Sequence, residues 1–324
     1  MMLRNELQMP RPADPGPRHT PMPSLSMLID QVSTIIVGKR EQISLCVTCL
    51  LAGGHLLIED VPGVGKTTLS QALARSLGLA FSRVQFTSDL LPSDLLGVSV
   101  FERQKDAFVF HPGPVFAQVL LADEVNRAGP RTQSALLEAM EERQVSVDGV
   151  THPLPWPFFV IATQNPTDQL GTHALPESQL DRFALRLSLG YPTAEDERAL
   201  LSGHDRRDAL QSLAPVMSLE DWRAWQARVT EVHAADALLD YLLALISATR
   251  DGRWFVQGLS PRAGQSLLRL ARARALLHGR AHVSPEDIQA LWAPAVAHRL
   301  QPVSSAGRGA AAQARALLEA TAVP

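Results

Sequence analysis

Four side chains in this sequence are set for phosphate chemistry by their types and spacing: Lys66, Thr67, Asp123 and Glu124. The first two close the run Asp60-Val-Pro-Gly-Val-Gly-Lys-Thr-Thr68. Glycines at 63 and 65 let successive backbone N–H groups converge on an anion. A helix starting near Lys66 adds its positive end. Lys66 is placed to bridge the β- and γ-phosphates of ATP, and the Thr67 hydroxyl to hold Mg²⁺. The loop residues Asp60, Val61, Pro62, Gly63, Val64, Gly65, Lys66, Thr67 and Thr68 are therefore read as a nucleotide cradle. The run departs from G-x-x-x-x-G-K-S/T at one position, where Asp60 replaces the first glycine. The competing reading is a glycine-rich turn. A strand before it and a helix after it favour the phosphate loop.

Asp123 and Glu124 end the apolar run Val119-Leu-Leu-Ala. Asp123 would hold Mg²⁺ through water, and Glu124 would orient and deprotonate the attacking water. A carboxylate capping a helix is the alternative, and the phosphate loop upstream weighs against it. A third polar station follows Phe158-Phe-Val-Ile-Ala-Thr-Gln, where Asn165 would sit beside the γ-phosphate and the attacking water. An Asn in a turn before Pro166 is the alternative there.

These stations need elements to hold them. The short apolar run His55 to Asp60 predicts a buried parallel strand, and further strand candidates are Ala80 to Phe86, Ala117 to Ala122, Phe158 to Thr163 and Ala184 to Leu189. Helical patterns separate most of them: Ser24 to Gly54, Lys66 to Leu77 and Arg131 to Arg143. Alternating strands and helices imply an α/β fold with a parallel five-stranded sheet covered on both faces. Gln144 to Thr151 alternates around Asp148-Gly149, which predicts a hairpin with a two-residue turn. After Tyr191 only helical patterns occur: Glu195 to Ser202, Leu219 to Val232, Ala234 to Thr249, Pro261 to Leu277 and Ser284 to His298. The expected organisation is a flexible Pro-rich tail (1–23), an α/β core (24–191) and an all-helical lid domain (192–324).

Composition limits the function classes. A net charge of −3 argues against a protein whose main task is gripping nucleic acid by its phosphates. Of 30 basic residues only Lys39, Lys66 and Lys105 are lysine. No apolar run approaches the roughly 18 residues needed to span a bilayer, and no basic stretch with an apolar core opens the chain. A cytoplasmic protein is expected. Cys46 and Cys49 form a CxxC inside an apolar helical stretch with no second pair to complete a metal site, so buried free thiols are expected. The ten histidines show no ligand spacing.

In this order the three stations resemble those of an AAA+ ATPase, and the wording between them resembles the MoxR family. The matching segments are Leu57 to Thr67, Ala122-Asp-Glu-Val-Asn-Arg-Ala128, Thr132-Gln-Ser-Ala-Leu-Leu-Glu-Ala-Met-Glu-Glu142, Ala162-Thr-Gln-Asn-Pro166 and Leu175-Pro-Glu-Ser-Gln-Leu-Asp-Arg-Phe183. The similarity runs from about Val37 to about His298. Within that family Asp at position 60 is a familiar variant. The resemblance implies that Arg182 is an arginine finger acting on a neighbour's γ-phosphate, worth about 10³ to 10⁵ in rate. An ion pair with a nearby carboxylate is the alternative for Arg182. The resemblance also implies that Arg262, in Gly258-Leu-Ser-Pro-Arg-Ala263, reaches phosphates from a lid helix, in its own subunit or a neighbour's. Val37-Gly38 resembles the segment lying against adenine. Part of Asp89 to Pro114 resembles an insert facing the pore of a ring.

The implied function is a ring-forming ATPase, six-membered by the resemblance, with chaperone-like remodelling or maturation of a protein partner. Such relatives often act with a protein carrying a von Willebrand factor A domain. The alternative is a nucleic-acid motor. Its hairpins would carry basic or aromatic residues, whereas this hairpin has Asp148 at its turn and no lysine. From Tyr191 onward 15 Arg face 14 Asp and Glu, so no basic domain lies there. A scaffold that binds nucleotide without turnover is disfavoured by Glu124.

Overall fold

Five short strands form one parallel sheet, and the chain alternates strand and helix to build it. The computed structural model describes residues 24–165, 172–202, 206–303 and 309–323, so the Pro-rich segment 1–23 and Pro166 lie outside the described residues. The order is α1 (Leu25–Ile35), α2 (Arg40–Leu51), β1 (His55–Glu59), α3 (Lys66–Ser76), β2 (Phe81–Gln85), α4 (Pro92–Leu96), β3 (Gly97–Glu102), β4 (Ala107–Pro112), β5 (Val119–Asp123), α5 (Pro130–Glu142), β6 (Gln144–Val147), β7 (Val150–Pro153), β8 (Phe159–Gln164), α6 (Glu177–Leu180) and β9 (Phe183–Leu187). Then come α7 (Ala194–Ser202), α8 (Arg206–Gln211), α9 (Leu219–Glu231), α10 (Asp236–Arg250), α11 (Pro261–Leu277), α12 (Pro285–Val296) and α13 (Ala310–Ala320).

The sheet runs β2-β5-β8-β1-β9 with every pairing parallel. Its register aligns the strand ends, pairing Gln85 with Asp123 and Glu59 with Gln164. Asp60, Glu124 and Asn165, one residue further along, therefore share the C-terminal edge, where open α/β sheets bind ligands.

Alternation along each strand divides the core in two. Leu56, Ile58, Leu121, Ile161 and Leu185 face a layer of α1, α2 and α3 that is continuous with the C-terminal helices through Trp222, Leu267 and Trp292. Leu57, Leu120, Ala122, Val160 and Phe183 face the other way, against Leu136, Leu137 and Met140 of α5. Two antiparallel hairpins stand apart from the sheet. One is β6–β7, whose turn residues Asp148 (φ 51°) and Gly149 (φ 78°) are both left-handed, as a two-residue type I′ turn requires. The other, β3–β4, fills the insert after the single short helix α4 and has no counterpart among the predicted strands. Phe110 stacks on His152 with ring centroids 3.9 Å apart, joining the two hairpins.

The helical pattern over Ser24 to Gly54 divides into α1 and α2, because Gly38 takes a left-handed φ of 73° between them. The strand expected to end at Ala122 extends to Asp123, so that carboxylate is fixed by the sheet itself. Cys46 and Cys49 are buried free thiols, and burial pushes Cys46 up to about 12. Among the described residues no group of His, Cys, Asp and Glu could hold a metal ion by itself. No described helix is long and apolar enough to cross a membrane.

Candidate active site

Buried β1 ends at Glu59, and α3 begins at Lys66. The six residues between them turn the chain through Gly63 (φ 85°) and Gly65 (φ 94°), conformations that cost glycine least. A Cβ added at Gly63 would meet no atom within 4 Å, so its backbone faces open space. Lys66 Nζ donates to the Asp60 carbonyl at 2.7 Å and the Val61 carbonyl at 3.3 Å, which holds the ammonium over the loop. The donor set of backbone amides, one ammonium and the Thr67 hydroxyl suits a polyphosphate with its magnesium ion.

Asp60 uses its side chain elsewhere. Oδ1 accepts the Val61 N–H at 2.9 Å, while Oδ2 accepts from Ser188 Oγ at 3.0 Å, Leu189 N at 2.6 Å and Gly190 N at 2.7 Å. The carboxylate thus clips the loop to the exit of β9, where the helical segment begins. Its part in a cradle is confined to the main chain. Close by, Ile36 lies 3.8 Å from where a Cβ of Gly65 would stand. Val37-Gly38 therefore runs beside the loop, and a Cβ at Gly38 would collide with the Asp196 carboxylate of α7.

The acidic pair is tightly oriented. Asp123 Oδ1 accepts from Thr163 Oγ1 at 2.5 Å, and Oδ2 accepts from Arg83 Nη2 at 2.6 Å. Oδ2 also accepts from Arg83 Nε at 3.2 Å, so Oδ1 is the oxygen that keeps a lone pair for water or a metal-bound water. Glu124 adopts a left-handed φ of 56°, and its N–H donates to Thr163 Oγ1 at 2.9 Å. Its Oε2 accepts from Gln85 Nε2 at 2.9 Å and pairs with Arg127 Nε at 2.8 Å. Asn165 follows β8 and is buried, lining a cavity with Glu59 and Asn126. Arg83, Gln85, Arg127 and Thr163 were not among the predicted site residues. Arg83 and Gln85 left a signal, being polar residues two apart on a predicted strand and hence on one face.

Arg182 and Arg262 lie at the opposite edge. Phe183, which begins β9, pairs with His55, which begins β1, so Arg182 stands at the N-terminal side of the sheet. The five residues of β1 separate it from its own phosphate loop by about 16 Å. Arg182 Nε pairs with Glu141 Oε2 at 3.0 Å, and Arg262 Nη1 with Glu141 Oε1 at 2.6 Å. Flanking contacts fix both arginines. Arg299 Nη2 and His298 Nε2 donate to the Phe183 carbonyl at 2.9 and 2.8 Å. Ser260, the N-cap of α11, donates to Asp181 at 3.2 Å.

A cavity of about 270 Å³ opens here, lined by Arg143, Arg182, Arg262, Arg269 and Arg299 against Glu141 and Asp181. Burial, and then the Arg143 charge, hold Arg269 below the usual arginine range. His55 reaches the same cavity and is lowered to about 4, first by burial and then by Arg143 and Arg262.

Comparisons with known proteins bear on the family and the fold. Residues 55–185 match the ATPase family associated with various cellular activities (AAA), and residues 247–321 match the AAA lid domain. The chain is 45% identical to the uncharacterized protein YeaC of Bacillus subtilis, over 93% of this chain and 95% of that protein. It is 40% identical to Chaperone MoxR1 of Mycobacterium tuberculosis, over 86% and 75% respectively. A solved structure of a candidate ATPase from Cytophaga hutchinsonii superposes with a TM-score of 0.84 at 35% identity, covering 93% of this chain and 94% of that one.

Proposed function

The chain belongs to the MoxR family of AAA+ ATPases, and from that premise we propose that it forms a ring in the cytoplasm, hydrolyses ATP between subunits and uses the cycle to remodel a protein partner. One observation carries this reading. The groups suited to bind and attack a nucleotide occupy one edge of the sheet, and the arginines suited to stabilise the transferring phosphoryl occupy the other.

In this reading Lys66 and the 60–68 amides hold the triphosphate, and Val37-Gly38 lies against adenine. Thr67 and Asp123 would hold Mg²⁺, which supplies charge neutralisation on the phosphates. Glu124, steered by Gln85 and Arg127, accepts the proton of the attacking water, and Asn165 orients that water. Arg182 cannot reach the phosphate loop of its own subunit across the sheet, and Arg262 shares its position. Both therefore act on the neighbour's nucleotide. Arg143 and Arg269, which make no ion pair among the described residues, add to the attraction for an anion brought by that neighbour. Head-to-tail contacts of this kind close into a ring, six-membered by family likeness.

The hairpins supply the working surface. Phe101 and Phe108 pack edge to face at the far end of β3–β4 and stay 47% and 74% exposed. An exposed aromatic pair suits an apolar protein segment, and a protein with a von Willebrand factor A domain is one candidate partner. The β6–β7 turn presents Asp148, which repels a nucleic-acid backbone.

The test is Mg²⁺-dependent ATP hydrolysis by the full chain, with and without single-stranded DNA. Turnover that rises with protein concentration and ignores DNA is expected. DNA stimulation abolished at high salt would instead favour a nucleic-acid motor. Affinity capture with Glu124→Gln and ATP should then hold the client.

A further inference from the structure

Glu141 is the last but one residue of α5, far in sequence from both arginines it binds. Each of its carboxylate oxygens takes one of them, Oε2 the Nε of Arg182 and Oε1 the Nη1 of Arg262. A guanidinium has five N–H donors in a fixed fork. Binding Arg182 through Nε leaves its outer Nη pair free to make two parallel bonds to a phosphate. Arg262 gives Glu141 its Nη1 and keeps Nη2 and Nε, so of the two arginines only Arg182 retains its whole outer edge. The side chains of Arg182 and Arg262 remain 28% and 50% exposed, so they are oriented without being sealed off.

Glu141 also offsets local repulsion. Two guanidinium groups this close repel each other, and three more line the same cavity. Without Glu141 the Arg182 and Arg262 side chains would swing apart toward solvent. The same helix ties this pair to the acidic station and to a hairpin. α5 starts six residues after Glu124, and its C-cap Arg143 leads directly into the β6–β7 hairpin.

We propose that Glu141 is a positioning residue that holds Arg182 and Arg262 as one unit, presenting both to the nucleotide bound by the adjacent subunit. It touches neither nucleotide nor water and acts only through the two arginines. This inference rests on the function proposed above.

The experiment compares steady-state ATP hydrolysis and equilibrium ATP binding for the full chain, Glu141→Ala, Glu141→Gln and Arg182→Ala. Misplacement of a catalytic group by about 1 Å can cost on the order of 10²-fold in rate. Glu141→Ala should accordingly lose about 10- to 100-fold in kcat, with Kd and KM for ATP nearly unchanged, because its own phosphate loop is intact. Glu141→Gln keeps one acceptor oxygen and should fall between. Mixing Glu141→Ala with Lys66→Ala should restore turnover, since the second protein brings an intact Glu141–Arg182–Arg262 unit to the first protein's nucleotide. Wild-type or raised kcat in Glu141→Ala, with Arg182→Ala inactive, would overturn the positioning role and leave the proposed function standing. Lost turnover that mixing cannot restore would place the role of Glu141 within its own fold and also overturn it. An active Arg182→Ala would instead bring down the proposed function itself.

Discussion

The two edges of the sheet are built on different principles. At the C-terminal edge, ionisable groups are fixed by backbone and by one another: Lys66 on two carbonyls, Asp123 between Thr163 and Arg83, Glu124 between Gln85 and Arg127. At the N-terminal edge, five arginines line one cavity with two carboxylates, which pair with only three of them. The first edge is internally satisfied and oriented. The second carries excess positive charge close to the surface. In the proposed function, the contrast means that a single subunit holds two half-sites of complementary charge, turned away from each other.

Three changes would sharpen or break that contrast. The largest effect should separate the edges outright. Lys66→Ala should abolish ATP binding, whereas Arg182→Ala should keep binding and lose about 10³-fold or more in turnover. Equilibrium binding of a labelled ATP analogue beside a phosphate-release assay reads both. Loss of binding in Arg182→Ala would mean the edges are not separable.

Next in size is Asp60→Gly, which installs the glycine of the general phosphate-loop pattern. It strands the Leu189 and Gly190 amides that Asp60 now satisfies. A cost of about 1–3 kcal/mol in stability is expected, read from denaturant unfolding, with nucleotide binding retained. Lost binding at unchanged stability would show that the carboxylate belongs to the cradle.

A third effect is on pH and is read on stability alone. His55 and His298 are lowered to about 4 and about 3, in each case first by burial and then by neighbouring arginines. Their folded values lie below the free value near 6.5, so the fold favours the neutral ring. That stabilisation is complete above about pH 6.5 and is lost as pH falls toward 4. The slope should approach 1.4 kcal/mol per pH unit for each histidine, to order of magnitude. Thermal melts at pH 7 and pH 5 should show the fall, and His298→Asn should make it shallower. A flat profile would contradict the buried neutral assignment.

The first edge was largely legible in the sequence, because each of its stations is a local pattern: apolar strand, then polar residues. The phosphate loop, Asp123, Glu124 and Asn165 all follow that form, and the register of parallel strands brings them level. What escaped detection depends on strand order. Gln85 meets Glu124 only because β2 lies beside β5, and nothing local to either strand says so. Glu141 was hidden for the same reason, its partners being 41 and 121 residues away. The alternative of an Arg182 ion pair was correct as geometry, and Nε attachment makes it compatible with a finger. The β3–β4 hairpin was missed although Val98 to Phe101 and Ala107 to Phe110 contain β-formers, because its turn, Arg103 to Asp106, lacks glycine and proline.

The central claim is that the two half-sites meet between subunits. Its most direct test is to mix Arg182→Ala, which keeps a sound phosphate loop, with Lys66→Ala, which keeps a sound arginine edge. Each alone should be nearly inactive. The account predicts that the mixture regains a substantial fraction of wild-type ATP hydrolysis. A mixture no more active than the average of its two components would contradict it.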